Sequence, residues 1–511
     1  MRPADPTSSL DKLHTIRHFG GHRVTQGLPD DVVARFAALD PDLRRAIDEA
    51  AAHHADLQPT WSAALAGPES ALVETLQEHF VNFYERDAIN PYVPLAARGP
   101  WIVTSHGAVL HDSGGYGMLG FGHAPDAILA ELARPQAMAN IMTPSFSQRR
   151  LTDALRAEVG HTRQGGCPYP AFVCMNSGSE SVTVAARISD INALRVTGPG
   201  GRFPGRKVKF LALAGGFHGR TDRPAQASGS SRDRYRQHLL SFQTLDNLDL
   251  VRPNDVEGLR QAFAEADRAG VFYEMMLFEP VMGEGNPGLG VTREFYDTAR
   301  ALTRRSGTLL LADSIQAGLR AHGVLSLVDY PGFSDIDPPD METWSKAINA
   351  AQFPLSVLGL GPRAAELYQR GVYGNTMTAN PRACDVGAAT LGMITPELRA
   401  NVVARGEELR ARLAALADHH PGVITSVQGT GLLVCAEIHP TIPVVGPDGV
   451  ELWCRRHGMG VIHGGHNALR FTPHFAISTA EIDLIVDIVR RAVDHFAGAR
   501  SSASDGASAA K

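Results

Sequence analysis

Cysteine is scarce in this 511-residue chain: Cys167, Cys174, Cys384, Cys435 and Cys454 are scattered, odd in number and without a CxxC pair. Such a set argues against a disulfide framework and against a cysteine zinc site, so no metal is expected and a reducing cytoplasm fits best. Neither sign of charge dominates, with 48 Lys and Arg against 54 Asp and Glu and a net charge of −6. That balance leaves no electrostatic footprint for nucleic acid or for an acidic membrane. No apolar run is long enough to span a bilayer. Met1 to Arg17 lacks the apolar core of a secretory signal. Internal repeats are absent. What is present is length and a 44% hydrophobic content, enough for a large core and more than one domain.

The texture changes along the chain. Residues 1–100 read as a helical extension: Asp40 and Pro41 suit the N-cap and first position of one helix, and Leu72, Leu76, Phe80 and Phe83 recur at helical spacing from Glu69 to Arg86. Residues 101–150 read as the N-terminal part of a small domain. In 151–398 short apolar runs alternate with helical stretches. The runs are Ala171 to Met175, Val208 to Leu213, Met275 to Phe278 and Thr308 to Ala312. The helices are Glu180 to Arg195, Asp255 to Ala269 and Thr292 to Arg305. Alternation of this kind predicts an α/β fold with a mainly parallel sheet. Residues 399–497, with the Gly429 to Cys435 run and a final helix from about Ala480 to Phe496, read as a smaller α+β domain. Residues 498–511, rich in Ala, Ser and Gly, read as a disordered tail.

The runs end in polar, glycine-rich loops. Asn176-Ser177-Gly178-Ser179-Glu180 joins strand to helix and can present amides and hydroxyls to a phosphate, or simply cap the helix. Phe217-His218-Gly219 offers an aromatic able to stack on a flat ring. Glu279 and Glu284 place two carboxylates on one tight loop. Asp313 closes a buried run and needs a cationic partner, and Gln316 brings an amide able to reach a ring hydroxyl. Lys346 follows about thirty residues later, the length of one strand-crossover-strand step. An acid at one strand end and a lysine after the next suit pyridoxal 5'-phosphate: the lysine forms the Schiff base and the acid holds the proton on the ring nitrogen. In open α/β sheets ligands bind where the strands end.

In order and spacing these motifs resemble the class III, ornithine/4-aminobutyrate type, pyridoxal-phosphate aminotransferases of fold type I, from about Trp101 to Ala497. The resemblance implies a large domain with a mainly parallel, seven-stranded-type sheet and a smaller α+β domain. It makes Ser177, Gly178 and Ser179 the phosphate cup, Phe217 the stacking aromatic with His218 beside it, and Asp313, Gln316 and Lys346 the ring-binding set. Thr376, in Asn375-Thr376-Met377-Thr378, would reach the other subunit's phosphate, which implies a homodimer with the active site at its interface. Arg470 would bind a substrate carboxylate, and Glu284 would pair with it as a gate between dicarboxylates and ω-amines.

The expected activity is therefore aminotransfer between an amino acid or ω-amine and an oxo acid, 2-oxoglutarate fitting best. The chain departs from the family at Met282, Ser314, Ala317, Thr378, Ala379 and His474, with Ser314 standing where the family usually has Glu. These departures leave a racemase, aminomutase or decarboxylase of the same fold as the alternative reading. The N-terminal extension reads as a structural embellishment.

Overall fold

The computed structural model describes residues 6–114 and 117–508. The chain forms two compact units, Met1–Pro125 with Arg405–Gln428 and Val434–Lys511, and Asp126–Ala404 with Gly429–Leu433.

The second unit is built on seven strands: β1 (Ala171–Met175), β2 (Lys207–Leu213), β3 (Leu248–Val251), β4 (Val271–Phe278), β5 (Leu309–Asp313), β6 (Met341–Trp344) and β7 (Ser356–Leu360). Their order across the sheet is β1-β7-β6-β5-β4-β2-β3. Only β7 runs against its neighbours; the rest of the ladder is parallel. The expected α/β class with a mainly parallel sheet is what the chain forms. Every residue of β4 and β5 is buried, as strands covered on both faces must be.

The helices between strands are set by their caps. Helix α1 (Gly178–Thr197) starts on a capping box: the Ser177 hydroxyl accepts from the Glu180 amide, and the Glu180 carboxylate accepts from the Ser177 amide. Helix α2 (Val256–Arg268) is capped by Asp255 and helix α3 (Arg293–Ser306) by Thr292. Gly307, at φ 84°, ends α3 in the left-handed region and turns the chain into β5. Val184 and Ile188 of α1 belong to one core with Met275, Leu277, Leu311 and Leu358 of the sheet. Each such buried aliphatic side chain contributes roughly 1.5–3 kcal/mol.

The first unit opens with helices Pro6–Phe19, Asp30–Leu39, Pro41–Ala66 and Glu69–Gln77. Asp40 caps the third, accepting from the Asp42 amide, with Pro41 next to it. The helix expected to reach Arg86 stops at Gln77, because Glu78 turns extended at ψ 132° and His79 follows at φ 63°, conformations that a helix cannot contain. Strands Pro94–Arg98, Trp101–Thr104, Val109–Asp112 and Met459–Gly460 form one four-stranded sheet. The run expected over Gly429 to Cys435 is broken at Gly431, φ 56°, between strands Ile424–Thr430 and Leu433–Ile438. The last helix, Thr479–Ser508, continues past Ala497 into the segment read as a tail; residues 509–511 lie outside the described residues. Among the described residues no helix is long and apolar enough to cross a membrane.

Candidate active site

Strand β5 ends on Asp313, which is buried. Its partner in the parallel register of β6 is Thr343. Lys346 follows on the same strand exit, half-buried, as the first residue of a 3-10 turn, Lys346–Asn349. The acid and the lysine thus leave adjacent strands in the same direction.

The Asp313 carboxylate is held from two sides. Oδ2 lies 2.8 Å from His218 Nδ1, and Oδ1 accepts from the Ile315 amide at 3.2 Å. The main chain at His218 is fixed in turn, since its amide donates to Ser228 Oγ at 2.9 Å. His218 therefore orients the acid directly. Its Nε2 is buried without a hydrogen-bond partner among the described residues, as is Oε1 of Gln316.

The Ser177 turn closes against two loops. A Cβ on Gly178 would stand 2.5 Å from Ile315 Cδ1, and one on Gly219, at φ 125°, would stand 2.3 Å from Ser179 Oγ. Glycine at both places lets the β1 and β2 loops and the Asp313 turn approach one another. Ser179 Oγ also accepts from the Arg220 amide at 3.4 Å. Phe217 is half-buried, with the Arg220 guanidinium 4.9 Å from its ring centroid.

Glu279, at the end of β4, ties two of these loops together. Oε1 accepts from the Phe217 amide at 3.0 Å, and Oε2 accepts from the Gly283 amide at 2.8 Å. Burial pushes its carboxyl up to about 7, against the pull of His218 and with the push of the Asp313 charge. Gly283 in turn lies against Gln316, whose Cγ would be 2.3 Å from a Cβ there. Glu284 is half-buried on the same loop.

Ser177, Gly178, Ser179, Phe217, His218, Asp313 and Gln316 are thus joined by contacts at one end of the sheet, with Lys346 delivered there by strand register. Thr376 is exposed, and its neighbour Asn375 donates to Glu180 Oε1 of the same chain at 2.9 Å. Arg470 is buried on strand Ala468–Phe471 and belongs to the first unit. The linking roles of Glu279 and Ser228 have no signal in the sequence. Glu279 sits in a motif that was noted, but nothing in a single sequence marks which backbone amides a carboxylate will meet.

Pyridoxal phosphate fits this donor set. A buried acid at a strand end suits a ring nitrogen, and a buried amide with an unused oxygen lies beside it. An aromatic, a serine-lined helix start and a half-buried lysine complete the inventory.

The family model described as aminotransferase class-III matches residues 83–493. Acetylornithine aminotransferase of Bifidobacterium longum is 30% identical over 322 residues, 62% of this chain and 71% of that protein. The Neisseria meningitidis serogroup B acetylornithine aminotransferase is 26% identical over 420 residues, 80% of this chain and 96% of its own length. Among solved structures, ornithine aminotransferase from Toxoplasma gondii ME49 superposes with a TM-score of 0.72 at 20% identity, covering 87% of this chain and 99% of that one. Acetylornithine aminotransferase from Elizabethkingia anophelis gives 0.66 at 21%, covering 84% and 99%. The fold is that of the fold type I enzymes, the cofactor is pyridoxal phosphate, and the racemase, aminomutase or decarboxylase alternative is not favoured. The chain belongs to the class-III aminotransferase family and is a pyridoxal-phosphate-dependent aminotransferase.

Proposed function

We propose that this aminotransferase carries an amino group from an amino acid or ω-amine to 2-oxoglutarate, with Lys346 and Asp313 as its catalytic residues. The observation that carries the reading is the pairing of strands β5 and β6, which brings a buried, His218-held carboxylate and Lys346 to the same sheet end. The cofactor, when bound, supplies an electron sink for the charge left as a Cα–H bond breaks.

The chain's own groups do the rest. Lys346 Nζ would anchor the cofactor at rest and, once released, would take the proton from the substrate carbon and return it two atoms along, on the far side of the nitrogen, in a 1,3-shift. Asp313 holds a proton on the ring nitrogen. Phe217 packs on the ring, and Ser177, Gly178 and Ser179 hold the phosphate through hydroxyls and the start of α1. Gln316 orients the ring hydroxyl.

The substrate side rests on resemblance. Arg470 is assigned the substrate carboxylate and Glu284 the gate that favours ω-amines. The relatives named acetylornithine aminotransferase favour an N-acylated basic amino acid as donor. Thr376 is assigned to a second subunit's phosphate, in a cytoplasmic homodimer.

The deciding measurement is the absorption spectrum of the holoenzyme before and after excess L-glutamate. Conversion of the cofactor's aldehyde-form band to its amine form, with 2-oxoglutarate released, is the expected result. An unchanged band removes glutamate as donor. Lys346→Ala is expected to abolish turnover, and wild-type turnover in it removes the mechanism.

A further inference from the structure

Ser314 is the departure nearest the chemistry, one residue beyond Asp313, and the structure gives it a partner. Its hydroxyl donates to Glu342 Oε1 at 2.6 Å. Glu342 lies inside strand β6 and is fully buried. Its register partner is Ala312, whereas Asp313 pairs with Thr343. Side chains alternate along a strand, so Glu342 projects from the sheet face opposite to Asp313.

Three more donors close on the same carboxylate. The Leu327 amide donates to Oε1 at 2.9 Å. Ser326 Oγ and Tyr169 OH donate to Oε2 at 2.5 and 2.9 Å. Tyr169 packs edge-on against Trp344, with ring centroids 5.7 Å apart, two residues before Lys346. All four donors are neutral. A buried carboxylate is costly unless its lone pairs are satisfied, and here four are used. Removing any one donor leaves charge exposed to an apolar interior, so the arrangement is rigid by necessity.

Resting on the site reading above, we propose that Glu342 is a positioning residue. Its carboxylate locks the turn that carries Asp313 and Gln316 onto the strand that delivers Lys346. Glu342 faces away from Asp313 and its oxygens are taken by Ser314, Leu327, Ser326 and Tyr169. It acts through Ser314, which sits between Asp313 and the Ile315–Gln316 segment. A shift in this turn displaces the acid and the amide together relative to the lysine, and misplacement of about 1 Å costs roughly a hundredfold in rate.

The test uses the full-length holoenzyme and four variants. Ser314→Ala removes one hydrogen bond and leaves the carboxylate's other donors in place. Glu342→Gln removes the charge. Glu342→Ser removes the group. Ser314→Glu with Glu342→Ser relocates the carboxylate across the strand pair. For each, pyridoxal phosphate affinity is measured on the folded fraction by fluorescence titration, together with kcat and KM for the amino donor.

Ser314→Ala is expected to weaken cofactor affinity and lower kcat by about tenfold, with KM for the donor little changed. Glu342→Gln and Glu342→Ser are expected to do more. The double variant is expected to recover most of the loss of Glu342→Ser. Unchanged cofactor affinity and kcat in folded Ser314→Ala, or no recovery in a folded double variant, overturns the proposal. Should the Glu342 variants fail to fold, Ser314→Ala decides alone. Failure of the site reading registers elsewhere, as turnover in Lys346→Ala.

Discussion

His218 Nδ1 stands 2.8 Å from Asp313 Oδ2, with both side chains buried. The imidazole bonds one oxygen of the acid at the end of β5 and the Ile315 amide the other, so the acid's direction depends on both. A buried carboxylate oxygen stripped of its donor costs about 1–3 kcal/mol.

His218→Phe is therefore expected to lower kcat by about ten- to a hundredfold and to loosen pyridoxal phosphate. His218→Gln, which keeps a donor at similar reach, is expected to lie between. Steady-state kinetics and cofactor titration on the three proteins test this. Wild-type kcat in His218→Phe reduces the histidine to a packing residue.

Glu279 predicts a pH effect of definite sign. Burial raises its carboxyl from 4.5 to about 7, so between those values the folded protein binds a proton that the unfolded chain releases. Its contribution to stability is full below about 4.5 and is lost as pH rises through about 7. Glu279→Gln cannot titrate. The Tm of the wild type relative to this variant should decline across that window, and a difference independent of pH would show that Glu279 ionises normally. Because the same carboxylate grips the amides of Phe217 and Gly283, the variant should also change KM for the amino donor.

Glu481 carries the opposite sign. Burial opposes its ionisation, but His474 and His111, 2.7 and 3.2 Å from Oε1, outweigh it and hold the carboxyl well below the usual carboxylate range. Ser478 adds its amide and hydroxyl to Oε2. This contribution is complete above about 4.5 and is lost only in strong acid, as pH falls through the lowered value. Glu481→Gln should cost about 3 kcal/mol at neutral pH. Urea unfolding at neutral and acid pH checks it: the deficit should shrink in acid, and a deficit near zero at neutral pH would count against the clasp.

The juxtaposition of Asp313 and Lys346, proposed above as the catalytic pair, was legible because each member ends or follows an apolar run and the interval between them is one crossover long. The four loops were legible for the same reason, as breaks after buried strands. Strand β6 was not: four residues with Glu342 in the middle carry no continuous apolar signal, and its burial depends on donors from positions 169, 314, 326 and 327. Strand β3 is short and half-exposed, and β7 runs against its neighbours, a direction that no local pattern records. The overlong helix after Glu69 failed because periodicity persists through Phe80 and Phe83 while the extended backbone at Glu78 and the reversal at His79 end it. The roles proposed for Thr376 and Arg470 rest on resemblance alone, since each would depend on groups far from it in the chain.

Strand β7 has a consequence for the order in which the protein can be made. Among the described residues it is the one sheet neighbour of β1, and Ser356 Oγ donates to the Ser177 carbonyl at 2.6 Å and meets the Ser181 hydroxyl at 2.6 Å. The turn read as the phosphate cup is thus braced by a residue that leaves the ribosome 179 positions later. Until then β1 has no strand partner in this sheet and its helix start is unbraced, a pairing that must wait for a long loop to close. A nascent chain stopped before Ser356 should be captured by chaperones and should not bind cofactor, whereas one released beyond Leu360 can complete the sheet.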